Sequence, residues 1–434
     1  MRIVIAGAGE VGYSLATSLA GKHEIILIEK DDDKLKEASN LDVYTIKGNA
    51  ANPKILKAAE VEKADLFLGV TGNDEVNLVA GIVAKKLGAN KVVVRVENPE
   101  YVEEPIVKNH PLGYDVVICP QLALAQEIVK LAGMRGALEV HSLSNGKVEM
   151  VEVLVKEDSI VNNKEIKSLN LPPNVVIATI YRDGEIIIPS GDTVLKSGDR
   201  VAIVGRSGTL KELTGLFDFS ETKKVTIFGA GAIGMHVAKM LSSLVKIKLI
   251  ESNPEKCKYL AESIENVKVV CGDATDLNLL REEKIGESDI VIATTESDEK
   301  NLLISLLSKS MGAKKSIAKV EKGSYVKLFE AAGVDIALNP RTITYREVLK
   351  LIEGITSEVK ELGNINVVEV VVKNPKVAKK KLKEIDIPKN VLIGAILRND
   401  DCLIPRGDTE IQLNDVLLIF TNWENIEKVE EIFS

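Results

Sequence analysis

Clustered cysteines are missing from this sequence, although single cysteines are present. The 434 residues contain four cysteines, Cys119, Cys257, Cys271 and Cys402, and none of them belongs to a CxxC pair. Zinc clusters and the disulfide frameworks of small secreted domains both need closely spaced cysteines. The spacing therefore argues against a zinc cluster and predicts buried free thiols in a reducing compartment.

An apolar run long enough to span a membrane is missing as well. The uninterrupted apolar stretches are short, as in residues 78–84, whereas a transmembrane helix takes about 20 residues. The N-terminal run MRIVIAGAGEVG is similar to part of a signal peptide, but Glu10 interrupts it and a near copy recurs inside the chain. We therefore expect no membrane span, and we interpret the first residues as a strand and a turn.

The chain has fewer basic residues than acidic ones. The chain has 56 Lys and Arg against 64 Asp and Glu, which gives a formal net charge of −8. Such a field repels nucleic acid and anionic lipid, so we predict no nucleic-acid partner. Its apolar fraction of 45% and charged fraction of 28% are ordinary for a globular protein. The length suggests about three domains of roughly 150 residues each.

What the sequence does contain is an internal duplication. The run GAGEVG at residues 7–12 returns as GAGAIG at residues 229–234, and the run T-x-x-D-E-x-N at residues 71–77 returns at residues 295–301. Near the end of the first half, PSGDT at residues 189–193 returns as PRGDT 216 residues later. Because landmarks that repeat in a constant order indicate repeated domains, we interpret the chain as two copies of one unit.

Within each copy, short apolar strands alternate with helical segments. In the first copy the predicted strands are residues 2–6, 24–29, 43–47, 65–70, 91–96 and 116–119. Asp31 is the predicted N-cap of the second helix. This alternation predicts a parallel sheet. A connecting helix over residues 121–136 follows, and we expect its Leu122, Ala125 and Val129 side to pack against a neighbouring Rossmann domain.

A smaller module follows each of these sheet domains. In the first copy its predicted strands are residues 148–155, 175–180 and 200–204, and in the second copy they are residues 366–372, 391–396 and 416–420. We therefore predict an α/β protein with two Rossmann-like parallel-sheet domains, at residues 1–135 and 220–355. Each is followed by a small α+β module, at residues 136–219 and 356–434.

The glycine boxes indicate where a ligand binds. Of the glycines in the first box, Gly7 allows a tight turn, Gly9 lets the backbone approach a pyrophosphate, and Gly12 allows close helix packing. Glu29 follows at the end of the next strand, where a carboxylate binds ribose hydroxyls and repels a 2′-phosphate. Gly229, Gly231, Gly234 and Glu251 repeat this set. The pattern predicts NAD or an adenosine nucleotide, and the alternative is that one or both turns are empty relics retained for packing.

Two further positions in each copy are candidates for ligand contact. Thr71 with Gly72, and Thr295 in the second copy, end the fourth strands, at the edge where ligands of open α/β sheets lie. Arg95 and Lys319 are the basic residues of the fifth strands. Ordinary turn and surface roles are the alternative for all of these residues.

A catalytic set is also missing from the sequence. A nicotinamide dehydrogenase needs a group, commonly His, Lys or Tyr, that moves a proton beside the hydride. The four histidines, His23, His110, His141 and His236, occupy no matching positions in the two copies. We therefore predict a nucleotide sensor rather than an enzyme. An NAD-dependent oxidoreductase and a nucleotide-responsive transcription regulator are the competing classes.

Together these landmarks resemble the TrkA family, the tandem regulatory subunits of Trk-type potassium uptake systems. Besides the glycine boxes, the acidic ribose residues, the T-x-x-D-E-x-N runs and the basic fifth strands, the resemblance includes Gly48-Asn49-Ala50 and Gly272-Asp273-Ala274. It covers essentially the full length. It implies that each Rossmann-like domain is an RCK-N (or KTN) domain and each small module an RCK-C module.

The resemblance implies a function and an assembly. Proteins of this family are cytoplasmic, bind NAD (NAD+ or NADH) and ATP or ADP, and lie at the inner face of the cell membrane through a channel partner. They gate a separate, membrane-embedded potassium-translocating subunit. Because the family forms gating rings of eight Rossmann domains, two domains per chain imply a homo-oligomer of four chains.

The resemblance also implies which residues contact the nucleotide. In the first copy they are Gly7, Ala8, Gly9, Glu10, Val11, Glu29, Asn49, Thr71, Gly72 and Arg95. In the second copy they are Gly229, Ala230, Gly231, Ala232, Ile233, Glu251, Asp273, Thr295 and Lys319. Asn49 departs from the usual acidic residue, and Lys319 departs from the usual arginine. We therefore expect the first half to favour a dinucleotide and the second half to tolerate other adenine nucleotides.

Overall fold

The computed structural model divides the chain into two compact units. The first contains Met1–Val129 and Lys224–Leu349, and the second contains Lys130–Lys223 and Lys350–Ser434. The described residues are 1–103, 113–217, 219, 222–356, 359–362, 365–388, 390–399, 401–421 and 425–434. Among these residues, no helix has both the length and the apolar character that crossing a membrane requires.

The first unit contains two parallel sheets, one from each copy of the repeat. The strands of the first sheet are β1 (Arg2–Ala6), β2 (Glu24–Glu29), β3 (Tyr44–Lys47), β4 (Leu66–Gly69), β5 (Lys91–Arg95) and β6 (Val116–Ile118). Their order is β3-β2-β1-β4-β5-β6, and all neighbours are parallel. This order is that of a Rossmann fold and confirms the predicted parallel sheet.

Helices, three of them with polar N-caps, accompany these strands. They are α1 (Glu10–Leu19), α2 (Asp32–Ala38), α3 (Pro53–Ala58), α4 (Asp74–Leu87), α5 (Glu100–Glu103) and α6 (Pro120–Gly133). Asp31 caps α2, as predicted, because its carboxylate accepts a hydrogen bond from the backbone N–H of Asp33 at 2.9 Å. Asn73 caps α4 by accepting from the N–H of Val76 at 2.7 Å. These caps hold the turns that follow β2 and β4.

The second sheet repeats the first. Its strands are β12 (Lys224–Phe228), β13 (Lys246–Glu251), β14 (Val267–Cys271), β15 (Ile290–Ala293), β16 (Lys315–Lys319) and β17 (Ile336–Leu338), in the order β14-β13-β12-β15-β16-β17. Its helices are α7 (Ala232–Leu241), α8 (Pro254–Ser263), α9 (Leu277–Glu282), α10 (Asp298–Ser310), α11 (Val326–Ala332) and α12 (Pro340–Thr356). The duplication seen in the sequence is therefore a duplication of the fold.

Central strands of both sheets are buried on both faces. Ile3, Val4, Ile5 and Ala6 of β1 are fully buried. A parallel sheet covered by helices on both faces needs such continuous apolar strands, because neither face contacts water. Each large aliphatic side chain buried in this way contributes about 1.5–3 kcal/mol, which holds the strand ends, and the turns that follow them, in place.

The second unit contains two antiparallel sheets, each with five strands. The first is made of β7 (Ala137–Leu143), β8 (Val148–Leu154), β9 (Val175–Arg182), β10 (Glu185–Ile187) and β11 (Arg200–Arg206), in the order β10-β9-β11-β8-β7. The second is made of β18 (Val359–Leu362), β19 (Ile365–Val371), β20 (Val391–Arg398), β21 (Asp401–Leu403) and β22 (Val416–Thr421), in the order β18-β19-β22-β20-β21, and helix α13 (Ile426–Phe433) follows it. Val148 and Ala178 of one sheet share a buried cluster with Ala395 and Phe420 of the other.

One prediction about the connecting segment after the first sheet needs correction. Helix α6 ends at Gly133 rather than at residue 136, and strand β7 begins only four residues later. On the predicted contact side of α6, Ala125 is fully buried and Leu122 packs against the first Rossmann core. Part of the apolar face of α6 is therefore buried within its own chain. Packing of this side against a neighbouring Rossmann domain stays a prediction.

Each small module contains the same buried ion pair. Arg182 donates two hydrogen bonds to the carboxylate of Asp199, at 2.7 and 2.6 Å, and Arg398 donates two to Asp415, both at 2.8 Å. Asp199 and Asp415 are almost completely buried. A buried carboxylate needs such a bidentate partner because its desolvation is otherwise uncompensated.

Candidate functional site

Each Rossmann sheet has a cavity at the carboxyl ends of its strands. In the first sheet the strand order reverses between β1 and β4, so the turns that follow these strands diverge and leave a crevice. The cavity there has a volume of about 270 Å³, and the corresponding cavity in the second sheet has about 310 Å³. Among the predicted residues, the first cavity is lined by Gly7, Gly9, Glu29, Asn49, Thr71 and Gly72. The second is lined by Gly229, Gly231, Glu251, Asp273 and Thr295.

The three glycines of the first box have different surroundings. Gly7 has a φ of +107°, and a Cβ there would lie 2.9 Å from the backbone of Thr71. A Cβ at Gly12 would lie 1.8 Å from the carbonyl oxygen of Gly7. A Cβ at Gly9 would meet no atom within 4 Å, because this residue faces the cavity. Gly7 and Gly12 are thus needed by the fold itself, whereas the space in front of Gly9 is open.

Glu29 holds the glycine turn against the end of β2. Its Oε2 accepts a hydrogen bond from the N–H of Ala8 at 2.7 Å, and its Oε1 accepts from the N–H of Lys30 at 2.7 Å. The side chain is only 8% exposed, yet it lines the cavity. A carboxylate has about four acceptor positions, so Glu29 can still accept from a ligand hydroxyl.

Glu251 has the same position in the second copy. It accepts from the N–H of Ala230 at 2.8 Å and from the N–H of Asn253 at 2.9 Å. Burial by itself would raise the pKa of Glu251, but the hydrogen bonds from Asn253 and Ala230 outweigh burial and hold the pKa below its usual value. The carboxylate is therefore charged at neutral pH and acts only as an acceptor.

Asn77 anchors the turn after β4 to the end of β5. Its Oδ1 accepts from the N–H of Thr71 at 2.8 Å and from the Thr71 hydroxyl at 2.6 Å, and its Nδ2 donates to the carbonyl of Arg95 at 2.9 Å. Asn301 makes the same contacts with Thr295 and Lys319. Both asparagines are fully buried. The threonines, which line the cavities, are therefore placed by asparagines that do not.

Asp74 and Asp298 hold the turns after the fifth strands. Asp74 accepts from the N–H groups of Glu97 and Asn98, each at 2.9 Å, and Asp298 accepts from the N–H of Glu321 at 2.8 Å. The sequence shows these aspartates as a repeated landmark, but it does not reveal their partners, which lie more than twenty residues away along the chain.

Arg95 and Lys319 are not among the residues that line the two cavities. Arg95 is largely buried and forms an ion pair with Glu97, and Lys319 forms one with Glu321 at 2.7 Å. Each cation is therefore already paired with the acidic residue two positions further on. The contrast between arginine and lysine in the fifth strands thus offers less support for different ligands than the sequence indicates.

The remaining predicted residues lie near the glycine turns but do not line the two cavities at the strand ends. Ala8 and Ala230 donate their N–H groups to the two glutamates, and Ala232 and Ile233 begin α7. Glu10 and Val11 line a separate cavity of about 280 Å³, together with Ser14, Arg341, Thr342 and Tyr345.

Of the lysines that line the cavities, none was selected by the sequence analysis, and two of them occupy matching positions. Lys34 in α2 lines the first, and Lys256 in α8 lines the second. They occupy matching positions, 222 residues apart like the glycine boxes. Their recurrence is a signal that could have identified them, and their charge suits an anionic ligand.

Neither cavity is lined by a histidine among the residues that the structure describes, and His110 lies outside them. His236 contacts Glu103 at 2.9 Å, and His141 contacts Glu139 at 2.9 Å. In the described ranges, no three His, Cys, Asp or Glu side chains gather in a way that would hold a metal.

The prediction that all four thiols are buried needs correction. Cys119, Cys257 and Cys402 are buried, but Cys271 is exposed. Cys257 and Cys271 lie close together in the fold, because the Sγ of Cys257 donates to the carbonyl of Glu251 at 3.2 Å and Cys271 pairs with Glu251 in the sheet. The spacing along the chain concealed this pair because one cysteine lies in α8 and the other at the end of β14.

Comparison with known proteins agrees with this architecture. The TrkA-N domain matches residues 3–120 and 225–340, and the TrkA-C domain matches residues 150–218 and 367–434. A Trk system potassium uptake protein TrkA homolog of Archaeoglobus fulgidus is 60% identical, with 100% of both chains covered. The Trk system potassium uptake protein TrkA of Vibrio alginolyticus is 32% identical, with 100% of this chain and 98% of that protein covered.

Solved structures with the same fold include two of GsuK. The GsuK RCK domain superimposes with a TM-score of 0.63 at 20% identity and covers 99% of this chain and 94% of that chain. The GsuK channel bound to NAD superimposes with the same TM-score and identity and covers 99% of this chain and 78% of that chain. At this level of identity, the similarity shows that the fold is shared.

Proposed function

The chain belongs to the TrkA family, and we propose that it is a nucleotide-sensing regulatory subunit that gates a membrane-embedded, potassium-translocating subunit of the Trk type. One observation carries this proposal. The chain has two equivalent cavities, each framed by a glycine turn, a buried glutamate and a threonine held by a buried asparagine. A duplicated binding site suits a regulator, because its output depends on which ligand occupies each site.

The first cavity supports NAD(H) as a ligand. Gly9 leaves open space at the N-terminus of α1, where backbone N–H groups and the helix dipole attract a pyrophosphate. Glu29 can accept ribose hydroxyls and repels a 2′-phosphate, which favours NAD over NADP. GsuK has been solved with NAD bound, and we extend this class of ligand to the present chain. ATP and ADP are the other adenine nucleotides that such a site would take.

The two cavities differ in charge, which supports unequal ligand preferences. The first is lined by one carboxylate, Glu29, and by Lys30 and Lys34. The second is lined by three carboxylates, including Asp273 where the first has Asn49, and by two lysines. A triphosphate would therefore meet more repulsion in the second cavity unless a cation accompanies it. We propose a dinucleotide in the first site and a cation-bound adenine nucleotide in the second.

The assembly that follows from this proposal is a gating ring. Two RCK-N domains, at residues 1–135 and 220–355, and two RCK-C modules, at residues 136–219 and 356–434, would form one quarter of the ring. Four chains would then supply eight Rossmann domains. The ring would act in the cytoplasm, at the inner face of the membrane, where its channel partner lies. Light scattering of the purified chain tests this stoichiometry, and a monomer at micromolar concentration would contradict it.

Titration of two glycine variants tests nucleotide binding. Gly9 and Gly231 have φ values of −70° and −69°, which any residue can adopt, and both face open space. Gly9→Val should therefore fill the first cavity without disturbing the fold, and Gly231→Val should do the same in the second. We expect calorimetry of the full-length chain with NADH and ATP to show that each variant loses one site and keeps the other.

Other results of these titrations, and two further assays, would favour the competing functions. If both variants bind nucleotides like the parent chain, the cavities are not the binding sites. Steady consumption of NADH with candidate substrates would favour an oxidoreductase. Salt-dependent retention of DNA would favour a transcription regulator.

A further inference from the structure

Two cysteines meet at the edge of the second cavity. Cys271 is the last residue of β14, and in the parallel sheet it pairs with Glu251 at the end of β13. Cys257 lies in α8, and its Sγ donates to the backbone carbonyl of Glu251 at 3.2 Å. Both cysteines are thus held beside the same residue, Glu251.

The two thiols differ in their access to solvent. Cys271 is exposed, whereas Cys257 is only 8% exposed. Burial, and then the neighbouring Cys271 thiol, raises the pKa of Cys257 to about 12. Because the thiolate is the nucleophile in thiol exchange, the exposed Cys271 reacts first with an oxidant from solution, and Cys257 reacts second.

The pair belongs to the second site alone. Gly272 and Asp273, which follow Cys271 directly, line the second cavity with Glu251, and the N–H of Gly272 donates to the Glu251 carbonyl at 2.9 Å. At the corresponding positions the first copy has Leu35 and Lys47. A modification of the two thiols would therefore act beside one of the two duplicated cavities and leave the other unchanged.

We propose that Cys257 and Cys271 form a thiol-modification site, which a low-molecular-weight disulfide (RSSR) oxidises to an intramolecular disulfide at the edge of the second cavity. The Cys271 thiolate attacks one sulfur of RSSR, forms a mixed disulfide and releases RS⁻. The Cys257 thiol then loses its proton to solvent and attacks the Sγ of Cys271, which displaces the second RS⁻. Two protein thiols and one RSSR become one protein disulfide and two RSH, so the oxidant takes up both electrons and both protons.

The crosslink has two structural consequences. It ties α8 to the end of β14, immediately before the turn that carries Asp273. It also removes the thiol proton that Cys257 donates to the carbonyl of Glu251. The site therefore connects the oxidation state of the chain to the position of two groups that line the second cavity.

Mass spectrometry of the full-length chain with oxidised glutathione tests this proposal. The parent chain should lose the mass of two hydrogens and yield a peptide pair linked through residues 257 and 271. Cys257→Ser should instead retain a glutathione adduct on Cys271, because the second thiol is missing. Cys271→Ser should form neither product at these positions. Cys402→Ser, which changes a buried thiol elsewhere, is the matched control and should form the crosslink like the parent chain.

Three results with the parent chain alone would overturn the proposal. A glutathione adduct that persists on its Cys271 would show that Cys257 cannot reach it. An unchanged mass after incubation would show that Cys271 does not react. A disulfide that joins any other pair of cysteines would assign the reaction elsewhere.

Discussion

At the scale of single residues, one glutamate organises each candidate site. Glu29 and Glu251 each accept hydrogen bonds from the turn after the first strand of their sheet and from the backbone that follows the glutamate itself. The same carboxylates line the two cavities. One residue thus shapes the glycine turn and presents acceptor oxygens to the cavity, so its removal affects both the turn and the cavity.

We expect Glu29→Gln to weaken NADH binding at the first site by about tenfold or more. The neutral amide loses charge-assisted hydrogen bonds of about 1.5–3 kcal/mol, although its side chain keeps nearly the same size. Calorimetry of the full-length chain measures this effect. Glu251→Gln is the matched control, and it should weaken the second site and leave the first unchanged. Unchanged NADH affinity and stoichiometry in Glu29→Gln would contradict the assignment of Glu29.

The lowered pKa of Glu251 predicts a dependence of stability on pH. Since the pKa of this carboxyl is lower in the folded chain than its ordinary value of 4.5, its stabilising effect is complete above that pH. The effect is lost as the pH falls through the lowered pKa, because the protonated acid no longer accepts its backbone bonds. We expect the advantage of the parent chain over Glu251→Gln in urea unfolding to disappear on acidification. A constant advantage down to about pH 3 would contradict this prediction.

At the scale of elements, buried polar groups determine how strands and turns meet. Asn77 joins the turn after β4 to the end of β5, and Asn301 does the same for β15 and β16. In the small modules, Asp199 and Asp415 accept hydrogen bonds from the guanidinium groups of Arg182 and Arg398. Each of these groups is buried and satisfied, so each tolerates little change.

We expect Asp199→Ala to destabilise its module by about 3–5 kcal/mol, because it leaves the Arg182 guanidinium without its buried partner. Urea unfolding of the full-length chain measures the loss. Asp192→Ala is the matched control, since Asp192 forms an exposed ion pair with Lys167, and exposed pairs contribute about 1 kcal/mol or less. Equal effects of the two substitutions would show that burial does not determine the strength of these pairs.

At the scale of the whole molecule, polar contacts join the two Rossmann sheets of the first unit. Glu10, the first residue of α1, forms an ion pair with Arg341 of α12, and His236 of α7 contacts Glu103 of α5 at 2.9 Å. Glu10 directly follows Gly9, so the glycine turn of the first site is tied to the second half of the chain. The second copy has Ala232 at the position of Glu10. Because alanine carries no charge, the corresponding ion pair cannot form at this position of the second copy.

We expect Arg341→Met to weaken NADH binding at the first site by up to about fivefold, which corresponds to the roughly 1 kcal/mol of an exposed ion pair. Without Arg341, the Glu10 carboxylate is no longer neutralised and repels the pyrophosphate. The double variant Glu10→Gln with Arg341→Met should restore the affinity, because it removes the repelling charge. If the double variant binds as weakly as Arg341→Met, the effect comes from packing rather than from charge.

Much of the architecture follows from local patterns. Apolar strands, glycine turns and caps such as Asp31 depend on residues close together in the chain, so the parallel sheets and the duplication were predicted correctly. Strand β7 was missed because the connecting helix and its glycines dominate the local pattern there. The lysines at positions 34 and 256 were missed because their contribution depends on which helix end faces the cavity.

The sequence alone determined that this protein has two copies of a Rossmann fold with glycine turns and acidic residues suited to a nucleotide. These features depend on backbone conformation, side-chain period and short spacing, which the order of residues encodes directly. Only the tertiary structure decided that Arg95 and Lys319 are paired with glutamates, that Asn77 and Asn301 hold the threonines, and that Cys257 meets Cys271. Each of these contacts joins groups from different elements or depends on side-chain direction, and packing decides both.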